Sequence, residues 1–175
     1  KKEDLLGIVL THAHEDHIGA VAHIWPSLKC KMFATPFTAA LIHEKFKEKK
    51  IDISSYLEVV PLNSQIKLGS FEIDFITLTH SILEPNGLSI KTPLGTVLHT
   101  GDWKIDPNPL IGNRIDQQKL KSIGENGVSA MICDSTNIFS PGRAGSESEV
   151  RDSLLRIMEP KTNRILVTSF ASNVA

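Results

Sequence analysis

"THAHEDHIGA", residues 11–20, crowds three histidines and two acids into six positions directly behind the apolar run "LLGIVL". The whole chain holds 7 histidines in 175 residues, so the crowding asks for a chemical cause. Side chains alternate faces along an extended chain, which sends His12 and His14 to one side while Ala13 points away. Two imidazoles at i and i+2 leaving a strand end suit one metal ion. A helix starting near Glu15 or Asp16 turns Asp16 and His17 towards a neighbouring position, where they could hold a second ion. Gly19 is expected to remove a side chain where that helix approaches the sheet. The rival reading is a polar loop with incidental histidines; the order H-x-H-x-D-H disfavours it.

Two ions need more ligands than these four, so the rest of the chain must supply them. His80 ends the alternating segment "FEIDFITLTH", at a strand terminus where open α/β sheets place their sites. It is expected as the third ligand of the first ion. Asp102 follows "TVLHT" and a glycine, which lets the backbone turn and aim the carboxylate inward. A carboxylate bridges cations roughly 3.5–4 Å apart in two-metal hydrolases. Mixed nitrogen and oxygen ligation favours zinc, with manganese as the alternative. His99 is expected to support a ligand through a hydrogen bond. His23 and His43 sit on helical segments and read as structural or exposed.

The composition, 41% hydrophobic and 22% charged, is that of a globular chain of one domain. No apolar run approaches the ~18 residues of a membrane span, and no signal-peptide core follows the charged start. A net charge of −1 gives no global attraction to nucleic acid, so a polyanion would need local contacts. Cys30 and Cys133 stand far apart in apolar surroundings and read as reduced, buried thiols of a cytoplasmic protein. The opening "KKEDLLGIVLTH" and the ending "LVTSFASNVA" both look cut, as in a segment of a larger protein.

The rest of the chain reads as mixed α/β. Residues 5–10 form a strand buried on both faces. A two-turn helix over "IGAVAHIW" stops at Pro26, "CKMFA" is a strand, and Pro36 opens a helix whose charged tail is a solvated face. From Leu57 the period becomes two: "YLEVV", "QIKL" and "FEIDFITL" read as antiparallel strands, the last two joined at Gly69-Ser70. "GLSIK" pairs with "TVLHT"; a short helix over 116–123 leads to the buried strand "VSAMIC". Ser146 and Glu149 form a capping box. The helix behind them carries Val150, Leu154, Ile157 and Met158 as one buried stripe, and "RILVTSF" is expected as a strand parallel to "VSAMIC".

"THAHEDH", the isolated "THS" and "HTGD", in this order, resemble the metallo-β-lactamase superfamily. "DWKID", "DSTN" at 134–137, "SPGRAGSESEV" and "TSFASNV" resemble its β-CASP branch and, within that, the bacterial ribonuclease J family. The resemblance runs along nearly the whole chain. It implies an αββα sandwich, incomplete here over residues 1–140, leading into the start of a β-CASP domain over 141–175. Residue by residue it implies His12, His14 and His80 on a first zinc, Asp16 and His17 on a second, and Asp102 bridging. Asp16 would also be catalytic, as would Asp134, which matches the first β-CASP acid motif. Ser172 and Asn173, in "SFASN", are the candidates for substrate phosphate. The segment "HSILEPNG" departs from the family pattern after the histidine, at Leu83 and Pro85. The two later histidine motifs of the family do not occur in the chain, so the segment by itself is expected to be inactive.

The implied activity is hydrolysis of RNA phosphodiester bonds, 5′→3′ exonucleolytic and endonucleolytic, in RNA maturation and decay. The implied substrate is single-stranded RNA with a 5′-monophosphate, and the implied assembly a homodimer away from membranes. A thioester or lactam hydrolase could use the same metal core, but the "DSTN…SFASN" extension argues against it. A metal-free scaffold subunit of an RNA-processing complex is disfavoured by the intact set of ligand residues.

Overall fold

The computed structural model describes residues 2–169. After a 3₁₀ turn at Lys2–Asp4, the chain runs β1 (Gly7–Val9), α1 (Glu15–Ile18), α2 (Val21–Leu28), β2 (Lys31–Ala34) and α3 (Pro36–Glu48). It continues through β3 (Leu57–Val59), β4 (Gln65–Leu68), β5 (Phe71–Thr77), β6 (Asn86–Thr92) and β7 (Gly95–His99). The last elements are α4 (Gln117–Glu125), β8 (Ala130–Ile132) and α5 (Glu147–Met158).

Two sheets result. The first is parallel, β1-β2-β3, with Ile8 opposite Met32 and Phe33 opposite Glu58. The second has the order β4-β5-β6-β7-β8, antiparallel except for the final parallel pair. Phe33 and Val60 of the first sheet cluster with Ile73, Phe75 and Leu88 of the second, burying the faces that meet. On the outer side of the first sheet, Met32 and Ala34 pack with Trp25 of α2 and Ile42 and Phe46 of α3. On the outer side of the second, Leu120 of α4 faces Ile76, Leu78 and Leu98 across an apolar cavity. Helix, sheet, sheet, helix: this is the αββα sandwich the resemblance implies.

Several local expectations need correction. β1 is shorter than 5–10 and only half-buried, and among the described residues it pairs with β2 alone. The first helix is two: α1, then α2, which continues through Pro26 and ends at Lys29 in a left-handed conformation (φ 50°). Trp25 lies edge-on to Phe46 and Tyr56, and that packing outweighs the break expected at proline. β3 joins the first sheet in parallel, since an alternating pattern does not distinguish parallel from antiparallel pairing. At Gly19 the nearest atoms a Cβ would meet are Glu15 O and Glu15 Oε1, both at 2.5 Å. The glycine thus admits the chain's own Glu15.

The tail differs most. β8 pairs with β7 but exposes Met131 and Ile132, and Cys133 is exposed where burial was expected. α5 begins with the expected capping box, Ser146 with Glu149, yet buries no residue; Val150, Leu154 and Ile157 are all open to solvent. Residues 161–169 form no strand. A period-3.6 stripe or an apolar run marks surface fit for burial, and burial needs a partner element, which the described residues do not provide here.

A histidine and aspartate cluster at the strand ends

Extended backbone at His14 (φ −66°, ψ 149°) ends the strand-like segment and caps α1. His12 and His14 consequently leave on one side, with ring centroids 4.9 Å apart. His12 Nε2 stands 3.2 Å from His14 Nδ1, and His80 Nε2 stands 3.1 Å from that same atom. Asp102 Oδ2 closes the group, 3.9 Å from His12 Nε2 and 3.7 Å from His80 Nε2. α1 turns the chain so that His17 Nε2 reaches Asp102 Oδ2 at 3.3 Å and Asp16 Oδ2 at 3.6 Å. The candidate ligand atoms of His12, His14, His80 and Asp102 lie within 4.8 Å of one another, as do those of Asp16, His17 and Asp102. Asp102 belongs to both groups.

This set fits metal ions. Three imidazole nitrogens at 3.1–3.2 Å spacing approach the ~3.3 Å separation of neighbouring ligands around a tetrahedral zinc. Neutral imidazoles at these distances can share N–H···N hydrogen bonds, and the same inward-facing nitrogens could instead coordinate a cation. Burial first, then the neighbouring His17, His14 and His80, lower the His12 pKa from 6.5 to about 3. Burial and His14 also lower that of His80, against the opposing pull of Asp102 and Asp134. Both rings are therefore neutral at pH 7 and keep a lone pair for coordination.

The loops that carry these side chains are held from behind. Gly101 adopts φ +57°, and a Cβ there would meet Asn86 O at 2.8 Å, so the tight turn before Asp102 is reserved for glycine. His99, expected to bond a ligand side chain, instead supports that turn: its Nδ1 accepts the Gly101 N–H at 2.9 Å. Asp134 lies outside both groups but near enough to His80 for their charges to interact. Its carboxylate accepts the N–H and hydroxyl of Thr136 at 2.9 and 2.7 Å; those bonds hold it below the usual carboxylate range. Ser172 and Asn173 lie outside the described residues.

Sequence reasoning missed Asn86 and Thr11. "EPNG" reads as a turn, yet Asn86 opens β6 and is 1% exposed, with its side chain on Thr11 O. The signal available was an asparagine after proline in a stretch with strand propensity on both sides.

The family described as beta-lactamase superfamily domain matches residues 1–130. Ribonuclease J of Sinorhizobium meliloti is 41% identical over 174 residues, covering 99% of this chain and 31% of that protein. Ribonuclease J of Helicobacter pylori (strain 26695) is 37% identical over 174 residues, again 99% of this chain, and 25% of its own length. Ribonuclease J of Synechocystis is 40% identical over 175 residues, 99% of this chain and 27% of its own. The chain thus spans between a quarter and a third of these relatives. A solved structure of a protein of unknown function from Enterococcus faecalis superposes with a TM-score of 0.60 at 18% identity, over 90% of this chain and 40% of that one. That likeness concerns the fold.

Proposed function

The chain belongs to the beta-lactamase superfamily, and we propose that it is part of a metal-dependent ribonuclease. One observation carries the proposal. Two candidate ligand groups, His12 with His14, His80 and Asp102, and Asp16 with His17 and Asp102, converge in a chain that is 41% identical to a ribonuclease J over 174 residues. His12, His14 and His80 would hold one divalent cation, Asp16 and His17 a second, with Asp102 shared. Zinc suits the nitrogen-rich first group, with manganese the alternative. Held by these residues, two such cations would supply charge neutralisation at phosphoryl oxygens and acidify water.

The chain's own residues do the remaining work. The neutral His12, fully buried, and His80, half-buried, offer lone pairs without competing protonation at pH 7. Asp16, whose side chain is 77% exposed, is open to substrate and is the group that orients water for in-line attack and accepts its proton. Asp134 remains ionised beside His80 and is assigned a catalytic role on its match to the family motif. We place the metallo-β-lactamase core at residues 1–140 and the start of a β-CASP domain at 141–175. Ser172 and Asn173 are kept as candidate phosphate contacts.

The relatives' name points to RNA as the substrate class; to this the proposal adds single-stranded RNA with a 5′-monophosphate, cut from the 5′ end and internally, in maturation and decay. A homodimer in the cytoplasm completes the proposal. No helix among the described residues is long and apolar enough to cross a membrane. The test incubates full-length protein, loaded with zinc or manganese, with 5′-monophosphorylated single-stranded RNA. Mononucleotide release or internal cleavage supports the assignment, and a metal-loaded protein that leaves the RNA intact removes it.

A further inference from the structure

We infer that Asn86 is a positioning residue for the metal centre: one buried side chain fixes, through Thr11 and the Glu84 carbonyl, the segments that carry His12 and His80. The inference rests on the metal-centre reading above and deepens it.

Three contacts from one amide define the role. Asn86 Nδ2 donates to Thr11 O at 3.0 Å, to Glu84 O at 2.6 Å and, at 3.4 Å, to Thr35 Oγ1. The Asn86 backbone N–H donates to the same Thr11 carbonyl at 3.1 Å. Thr11 is the residue before His12, and its hydroxyl lies 3.1 Å from His12 Nδ1. With a proton on Nδ1, His12 donates to that hydroxyl and turns the lone pair of Nε2 towards His14 and Asp102. Thr11 therefore holds the ring orientation of His12, and Asn86 holds Thr11.

Glu84 ends the loop that begins at His80. Its backbone is left-handed (φ +53°), and its carboxylate accepts the Phe37 N–H in the first turn of α3 at 2.8 Å. Asn86 grips the carbonyl of this strained residue and so ties the His80 loop to the His12 segment. The turn before Asp102 crosses the same point, with the Asn86 carbonyl 2.8 Å from where a Gly101 Cβ would stand. A purely structural asparagine would satisfy its own oxygen, whereas Asn86 Oδ1 is buried with no hydrogen-bond partner among the described residues. The amide is retained for its donors.

The experiment compares full-length wild type with Asn86→Ala, the isosteric donor-free Asn86→Asp, and Thr11→Val, which removes only the hydroxyl. Ile73→Ala, in the inter-sheet core and away from the cluster, controls for lost stability. Zinc affinity is measured by competition with a chromophoric chelator, the visible spectrum after cobalt substitution, and melting on the metal-free proteins. The expected result is zinc affinity 10–100-fold lower in the Asn86 and Thr11 variants, with an altered cobalt spectrum. Ile73→Ala should melt earlier yet bind zinc as wild type does. If the Asn86 variants do not fold, Thr11→Val decides alone. Variants that match wild type or Ile73→Ala in affinity and spectrum overturn the assignment and leave the metal centre standing. A wild type that takes up no zinc overturns the metal-centre reading and this inference with it.

Discussion

His80 and His14 are 66 residues apart in sequence, yet His80 Nε2 lies 3.1 Å from His14 Nδ1. The two belong to different sheets of the sandwich, one following β1 and the other β5. Phe33 and Val60 pack on Ile73, Phe75 and Leu88 between the two sheets, and the cluster lies at the strand ends beside that core.

Ligand removal should separate binding from folding. His14→Ala and Asp102→Ala are expected to lose more than about a hundredfold in both metal affinity and RNA cleavage, since even supporting residues cost 10–100-fold. Asp102→Ala should affect both ions, because its carboxylate lies in both groups. Metal content of the purified variants, read beside their cleavage rates, checks this.

Acid should destabilise the metal-free protein before any carboxylate titrates. His12 binds its proton near pH 3 when folded and near 6.5 when unfolded, and His80 is shifted the same way. Between those values the unfolded chain holds more protons, so stability is full above about pH 6.5 and falls as pH drops towards 3. His12 alone contributes up to about 1.4 kcal/mol per pH unit in that window. The lowered pKa values of Asp106 and Asp134 extend the loss below about pH 4. Urea unfolding midpoints at pH 7.5, 6 and 5 should decline in order; a flat series would contradict the buried, neutral His12.

Gly101→Ala places a Cβ on a residue at φ +57° and against the Asn86 carbonyl at 2.8 Å. Backbone strain of this kind costs about 1–3 kcal/mol, and the neighbouring atom is main chain that cannot swing aside. The expected outcome is a lower urea midpoint together with weakened metal binding, as the turn before Asp102 opens. Gly112→Ala provides the comparison: φ is +84° there, but nothing lies within 4 Å of the added carbon.

Asp106 is 2% exposed and joins the Asp102 loop to α5. Its carboxylate accepts the Glu147 N–H at 2.9 Å and the Asn108 N–H at 2.8 Å, and it lies 3.2 Å from Lys104 Nζ. Burial pushes its pKa up, but these partners together hold it below the usual range. Asp106→Ala should cost roughly 2–4 kcal/mol by leaving buried donors unmet. Because α5 buries no side chain of its own, hydrogen exchange should rise across α5 more than across α3.

The sequence by itself determined the candidate ligand set. H-x-H-x-D-H behind an apolar run, a histidine after an alternating strand and an aspartate after a glycine were legible, because ligand spacing at a strand end is local geometry. The capping box at Ser146 and Glu149 and the turn at Gly69 were legible for the same reason. Only the tertiary structure decided which partners those segments meet. It put β3 into a parallel sheet and carried α2 through Pro26 on the packing of Trp25. It left Val150, Leu154 and Ile157 exposed and made Asn86, which reads as a turn residue, the point where the His12, His80 and Asp102 segments cross. Local pattern records what a side chain is fit to do. Burial, sheet partnership and long-range hydrogen bonds depend on segments tens of residues away, and no short window of sequence contains them.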